Sequence, residues 1–472
     1  MPPTRENLDT VIDEVNTLLQ NDPSISPALR AMIKLMVGFI LALSAQKGLN
    51  SRNSSKPPAA DPNRQKSTRE PSSRKPGGQP GHLGSTLVLT DQPDTLIPLT
   101  IDRRTLPQGR IYRALAPERR QLFDIEVRRV VTEYQAEVLI DDLGLRYTAT
   151  FPEPIQQRVQ YGPTIKAHAV YLSQYQLLPY ARIREYFGDQ FGLPLSTGSL
   201  VNFNREVFNK LDSWDSIVRQ HLLNSTVVHT DETGINIKGK RVWLHVCSNA
   251  QFTYLMHHAK RGGEAMIDMG VVPIYEGVLC HDHWKAYYSV AVNAENSLCN
   301  AHHQRELTWS FEEDKMAWAG EMEQHLKVLN SEVQQAGGRL TKTRQAKVRA
   351  VYRAILDKGD IECPAPLEAE RKPGQRGRLK RSKSRNLLER LLNFEEDVLR
   401  FMTREDIPYT NNQGEQDLRM VKVQQKISGC FRSAQGAEVF CRIRGYLSTC
   451  RKQGLSATEA IKSALAGELP SF

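Results

Sequence analysis

The chain has 472 residues, enough for two to four domains with ample apolar surface to bury. Its formal net charge of +10 and pI near 9.2 favour a polyanionic partner over an acidic small molecule. Seven cysteines without a C-x-x-C pair speak against a disulfide framework or zinc ribbon and for a reducing cytoplasm; the acidic and polar first residues do not read as a secretory signal, and the most apolar run, residues 35–45, falls far short of a membrane span.

Residues 1–47 predict two helices parted by Asn21, Asp22 and Pro23. Leu8, Val11, Val15 and Leu18 step by three and four, as do Leu29, Met32, Met36, Phe39 and Leu43, the a/d spacing of a self-associating coiled coil. A helical hairpin within one chain meets the same pattern. Residues 48–84 read as a basic flexible linker, with Arg52, Lys56, Arg64, Lys66, Arg69, Arg74 and Lys75 set among Ser, Pro and Gly that cannot build a core. A plain tether and a segment that orders on DNA phosphates both fit.

Residues 85–150 read as a small β-rich module, with LVL, LIPL, RIYRAL and EVRRVVTEYQAEVLI as its strands and no chemistry of its own. Residues 151–222 predict a helix-turn-helix-like region: a helix ending near Gly188, a turn at 192–195 and a second helix capped by Ser196 or Thr197. The second helix would turn Asn202, Asn204 and Arg205 toward DNA, although helix pairs joined by a glycine turn serve many folds.

The stretch STVVHTDETG, residues 225–234, is an apolar run ending in two acids and a glycine. Such a run suits a buried strand that delivers a polar residue to the carboxyl end of an open sheet. Alternation puts Val227, His229 and Asp231 on one face and Glu232 on the other. KRVWLHVCSN and FTYLMHHAK complete a three-strand meander, residues 263–270 form a helix, and GVLCHDHW is a fourth strand that brings Asp282. Three strands, a helix and a fourth strand, with acids on the first and fourth, is the layout of an RNase H-like α/β core. Its first part spans residues 223–304 and its second 406–472.

Residues 305–405 interrupt that core as a helical insertion, whose basic run RKPGQRGRLKRSKSR offers Lys380 and Arg381 to a DNA backbone. In IPYTNNQGEQDLRMVKVQQK, Asn412 is the expected N-cap, and Glu415, Arg419 and Lys422 share one helix face. Asn412 and Glu415 also have the spacing of a capping box, a role that needs no catalysis.

Phosphodiester transfer needs an activated nucleophile, charge relief and a stabilised leaving alkoxide, which two divalent ions about 4 Å apart supply. Mg²⁺ or Mn²⁺ takes hard oxygen ligands. Asp231 would bridge both ions while Asp282 and Glu415 each hold one, with Arg419 and Lys422 keeping DNA against them. His281, His283, Cys299, His302 and His303 cluster around the second acid. Cys299-x-x-His302 has the look of half a zinc site. It is read here as structural support for strand and helix, or as a phosphate contact, rather than as zinc ligation. Trp284 and Tyr287 could stack on a splayed base.

Several motifs carry a resemblance in their joint order: NSRNSSKPPAADPN, KPGGQPGH, YGPTIKAHAVYLSQYQLLPYARI, HTDETG, HDHWKAYY, CNAHHQREL, TNNQGEQDLR and GYLSTCRKQG. Over nearly its whole length the chain resembles a DDE transposase of the insertion sequence 66 family, the large transposase subunit. The resemblance implies an RNase H-like core with a helical insertion and Asp231, Asp282 and Glu415 as its acidic triad. It also implies excision and insertion of an element bounded by terminal inverted repeats, by 3′-OH attack without a covalent protein intermediate. Double-stranded DNA, further copies of the chain and accessory proteins encoded by the same element are the partners that follow, in the bacterial cytoplasm. Residues 85–150 hold no cysteine, so the family's usual zinc-finger-like segment is not expected. An RNase H-like nuclease that cuts without joining, and a non-catalytic DNA-binding derivative, are the alternatives.

Overall fold

The computed structural model describes residues 5–22, 24–47, 53, 86–367 and 376–472. The basic linker, apart from Asn53, and residues 371–375 of the insertion's basic run lie outside them. The chain divides into two units: residues 1–64, 151–188 and 194–472 form the larger, and residues 65–150 with 189–193 the smaller.

Helices α1 (Arg5–Asn21) and α2 (Pro27–Lys47) are joined by a turn in which the Asp22 carboxylate accepts from the backbone and hydroxyl of Ser24. Arg30 reaches back from α2 to the carbonyls of Leu19 and Asp22. Ile12 and Leu19 are buried, whereas Leu29, Met32, Met36 and Phe39, the expected seam of α2, are exposed in the single chain.

In the smaller unit, the run of strands expected from residue 85 onward reduces to one hairpin, β1 (Val138–Ile140) paired with β2 (Arg146–Thr148). Among the described residues, 86–137 contain no strand. Their apolar side chains, Leu87, Val88, Ile111 and Val131 among them, stay exposed. Alternation alone makes no strand where neither a ladder partner nor a face to cover is present.

Next in chain order come α3 (Pro163–Val170), α4 (Tyr180–Phe191), α5 (Thr197–Lys210) and α6 (Trp214–Leu223). The Ser196 hydroxyl accepts from Ser199 N and opens α5, while α4 runs three residues past the expected stop at Gly188. The five-stranded sheet follows: β3 (Val227–Ile237), β4 (Lys240–Ser248), β5 (Thr253–His258), α7 (Gly263–Met269), β6 (Val278–His281), α8 (Lys285–Val290) and β7 (Glu295–Leu298). The strand order is β5-β4-β3-β6-β7. The β3–β4 and β4–β5 pairs are antiparallel, and β3–β6 and β6–β7 parallel. This mixed α/β sheet is consistent with an RNase H-like core. Strand β3 does not stop at the acids. It runs on to a hairpin whose two turn residues, Lys238 and Gly239, both adopt positive φ, matching the right-handed twist of the flanking strands.

Helices α9 (Asn300–Glu312), α10 (Ala317–Gln335), α11 (Lys342–Glu362), α12 (Lys383–Asn393) and α13 (Glu395–Leu399) lie between β7 and the last three helices, α14 (Asn412–Ser428), α15 (Ala434–Lys452) and α16 (Ala457–Ala466). One apolar core joins Val227, Val278, Cys280 and Leu298 of the sheet to Trp318, Met322, Tyr352 and Leu388 of α10–α12. Helices α10, α11 and α12 approach closely at Gly359, where a Cβ would stand 2.7 Å from Leu388 and 2.9 Å from Trp318. A second core packs Ile235, Leu244, Val246 and Leu255 against Leu418 and Val421 of α14 and Phe440 of α15. The sheet thereby holds α14 against β3. Among the described residues no helix is long and apolar enough to cross a membrane.

Candidate active site

The parallel ladder between β3 and β6 ends with Val227 opposite Val278, Val228 opposite Leu279 and His229 opposite Cys280. Two residues further along each chain stand Asp231 and Asp282, so the register that pairs the strands also brings these acids level. Asp231 sits midway along β3, opposite Val246 of β4, and not at the strand's end as expected. It is the parallel partner that ends there. Asp282 leaves β6 and turns into α8, its carboxylate accepting from Trp284 N at 3.0 Å.

Helix α14 delivers the third acid in its first turn. Its N-cap is Asn411, not Asn412, and the expected capping box is absent because the Asn411 side chain faces β3 instead. Its Oδ1 meets His229 Nδ1 at 2.8 Å, and its Nδ2 donates to Thr230 O at 2.8 Å. Its backbone N–H points at Cys299 Sγ at 3.1 Å, and its carbonyl accepts from Glu415 N at 3.2 Å. Asn411, 2% exposed, therefore ties β3, the start of α9 and the helix that carries Glu415. Sequence reading missed it in favour of its neighbour, because adjacent asparagines in TNNQGE differ only in the register of a helix start.

The neighbouring carboxyls act on Asp231. Burial, then Glu232, then Asp282 and Glu415 push the Asp231 carboxyl up to about 8, against a single opposing bond from the Glu232 backbone. Glu232 is also raised, chiefly by burial, although Tyr287 and Arg261 hold it from both sides. Its side chain is 2% exposed, taking the Tyr287 hydroxyl at 2.6 Å and two N–H groups of Arg261 at 2.8 and 2.7 Å. Arg261 in turn lies 4.9 Å from the ring centroid of Trp243 and 4.4 Å from that of Trp284. Trp284, expected to stack on a base, has Arg261 over its ring, and Tyr287 is buried.

Other expected contacts fall in different places. Lys422 Nζ donates to Gly234 O at 3.0 Å, and burial followed by Arg241 lowers its basicity. Arg419 is exposed on α14. His281 is buried, with Nε2 against Asn296 Oδ1 at 3.0 Å and its ring tilted against that of Tyr287. Cys299 is buried at the start of α9, and His302 Nδ1 lies 4.0 Å from Glu415 Oε1. On α5, Asn202 and Arg205 are exposed, but Asn204 is 2% exposed and spends its amide on Ser173 and Tyr180, so it cannot face DNA as expected. In the insertion, Lys380 is exposed, whereas Arg381 pairs with Glu389 of α12 at 2.8 Å. Arg378 and Arg385 share that carboxylate, so part of the basic run is neutralised by an acid beyond it.

Two family models match, together over most of the chain. Residues 158–439 match the family model described as Transposase IS66 family, and residues 1–87 match a family of unknown function, DUF6444. No curated protein matches the chain.

Proposed function

The chain belongs to the IS66 family of transposases, whose membership implies DNA transposition. On that premise we propose that Asp231, Asp282 and Glu415 form the phosphoryl-transfer site of a DDE transposase acting on the terminal inverted repeats of its own element. The observation that carries the proposal is the convergence of three acids, from β3, the end of β6 and the first turn of α14, with Asp282 and Glu415 both near enough to raise the Asp231 carboxyl. Carboxylates set beside a half-buried acid raise its proton affinity unless a cation joins them.

The donor set suits Mg²⁺ or Mn²⁺, since all three groups are hard carboxylate oxygens. Two such ions, when bound, supply the activated oxygen and the charge relief that phosphodiester transfer needs. The protein's own part is positioning. Asn411 fixes the start of α14 to β3, so that Glu415 acts on the Asp231 carboxyl across 184 residues of sequence. The Glu232–Arg261 pair, braced by two indoles and Tyr287, fixes the strand on Asp231's far side. Exposed Arg419, Asn202, Arg205 and Lys380 are free to meet DNA phosphates. Exposed apolar residues of α2 supply a surface for self-association on DNA.

The test is joining of labelled element ends to target DNA by the purified chain in Mg²⁺, with 3′-hydroxyl and 3′-deoxy ends compared. The proposal expects joined products from the hydroxyl ends alone. Cutting without any joined product would favour the nuclease reading instead.

A further inference from the structure

We infer that Cys299, His302 and Glu415 form a site for a thiophilic divalent cation of the zinc class, distinct from the three-carboxylate site but sharing Glu415 with it. One sulfur, one imidazole nitrogen and one carboxylate oxygen from these residues lie within 4.8 Å of one another. Cys299 is the N-cap of α9 and His302 stands in its first turn, so the C-x-x-H spacing turns both side chains to one side of the helix start. Glu415 comes to them from the first turn of α14.

Two independent observations point to a ligand. His302 Nδ1 is buried without a hydrogen-bond partner and faces Glu415 at 4.0 Å, beyond hydrogen-bond reach. Cys299 Sγ accepts a backbone N–H from Asn411, the kind of bond that stabilises a metal-bound thiolate. Zinc takes sulfur at about 2.3 Å and nitrogen or oxygen at about 2.0–2.2 Å, in a tetrahedron. The three donors need to close by only about 1 Å, and the fourth position stays open to water. Binding releases the thiol proton to solvent. A soft donor set of this kind discriminates against Mg²⁺, whereas three carboxylates do not bind zinc by a thiolate.

The consequence rests on the proposed function: a carboxylate drawn to Cys299 and His302 is unavailable to Asp231 and Asp282, so zinc inhibits the Mg²⁺-dependent reaction. The test uses the metal-stripped full chain titrated with Co²⁺ as probe. The wild type is expected to take up one equivalent with a thiolate-to-cobalt charge-transfer band, displaced by Zn²⁺. Cys299→Ser abolishes the band, His302→Gln weakens uptake by roughly a hundredfold or more, and Asp282→Asn keeps it. Absence of the band in the wild type, or its survival in Cys299→Ser, overturns the inference. If circular dichroism shows Cys299→Ser to be unfolded, His302→Gln decides, and unchanged affinity there overturns it. Micromolar Zn²⁺ is further expected to slow joining in excess Mg²⁺, and His302→Gln to relieve the inhibition. Zinc uptake without inhibition overturns the sharing of Glu415. Joining that proceeds in Mg²⁺ without any cobalt band sinks this inference alone, while a cobalt band in a chain that never joins DNA sinks the proposed function alone.

Discussion

Asn411 and His229, 182 residues apart in sequence, meet side chain to side chain at 2.8 Å, and the same amide donates to Thr230 O, one residue short of Asp231. The start of α14 is therefore stapled to the strand that carries the first acid. Asn411→Ala leaves a buried carbonyl and a buried imidazole unpartnered, which costs about 1–3 kcal/mol. Urea unfolding is expected to show that loss with an unchanged slope, whereas Asn412→Ala, at an exposed position, stays within about 0.5 kcal/mol of wild type. Equal effects at the two asparagines would restore the capping-box reading of Asn412 and Glu415.

The raised Asp231 carboxyl makes the metal-free chain pH-sensitive in a stated direction. Unfolded, this acid loses its proton near 3.8; folded, it keeps it up to about 8. The folded state binds more protons in that window, so Asp231 makes stability fall as pH rises from about 4 to 8, at up to ~1.4 kcal/mol per pH unit. Metal-stripped Asp231→Asn should thus melt above wild type at pH 8 and with it near pH 4. Mg²⁺ should raise the melting temperature of wild type at pH 8 and not that of the variant. A variant that gains nothing at pH 8 would show that the carboxyls do not crowd.

Two histidines, His245 buried and His283 half-buried, act in the opposite sense at lower pH. Burial brings His245 down to about 4 and, with Arg390 adding to it, His283 down to about 3. Unfolded histidine takes its proton near 6.5, so both stabilise the fold fully above that pH and lose their contribution as pH falls toward 4 and 3. In Asp231→Asn, where the carboxyl no longer masks them, melting temperature should decline steadily below pH 6.5. A flat profile from 6.5 to 4 would mean these rings are protonated in the fold.

Glu232 has its charge balanced by Arg261 between two indoles. Arg261→Ala strands a nearly buried carboxylate. Because the arginine is itself 43% exposed, the cost is about 1–3 kcal/mol, below that of a fully buried pair. Glu232→Gln in the same chain should recover most of it, and a double-mutant cycle reads the coupling. Tryptophan fluorescence should change in Arg261→Ala, since Trp284 loses the cation at its ring and Trp243 keeps only Arg241. Additive effects would mean the pair carries no coupling.

On α5 the exposed and buried asparagines separate DNA contact from folding. Arg205→Ala should weaken binding to element ends and lower the salt slope by about one, with stability unchanged. Asn204→Ala should lower stability through Ser173 and Tyr180. Loss of DNA affinity without loss of stability in Asn204→Ala would contradict the buried placement.

The sheet was legible because its strands alternate or run apolar between turn residues, and because two of those runs each close on an acid. The two acids of β3 and β6 could thus be named before their register was known. Other features depend on partners distant in sequence. Whether residues 86–137 pair is decided by the presence of a second strand, not by alternation, and none is there among the described residues. Asn204 and Asn202 look equivalent until helix packing turns one inward. The basic run read as open charge until Glu389 on α12 met three of its arginines. The site's own staple, Asn411, became visible only when the register of α14 fixed which asparagine faces β3.

The most direct test of the account compares joining of element ends in Mg²⁺ by wild type, Asp231→Ala, Asp282→Ala and Glu415→Ala, with end binding measured alongside. The account predicts that each single substitution reduces joining by roughly a thousandfold or more while binding stays within a few-fold. Full joining activity in Glu415→Ala would contradict it.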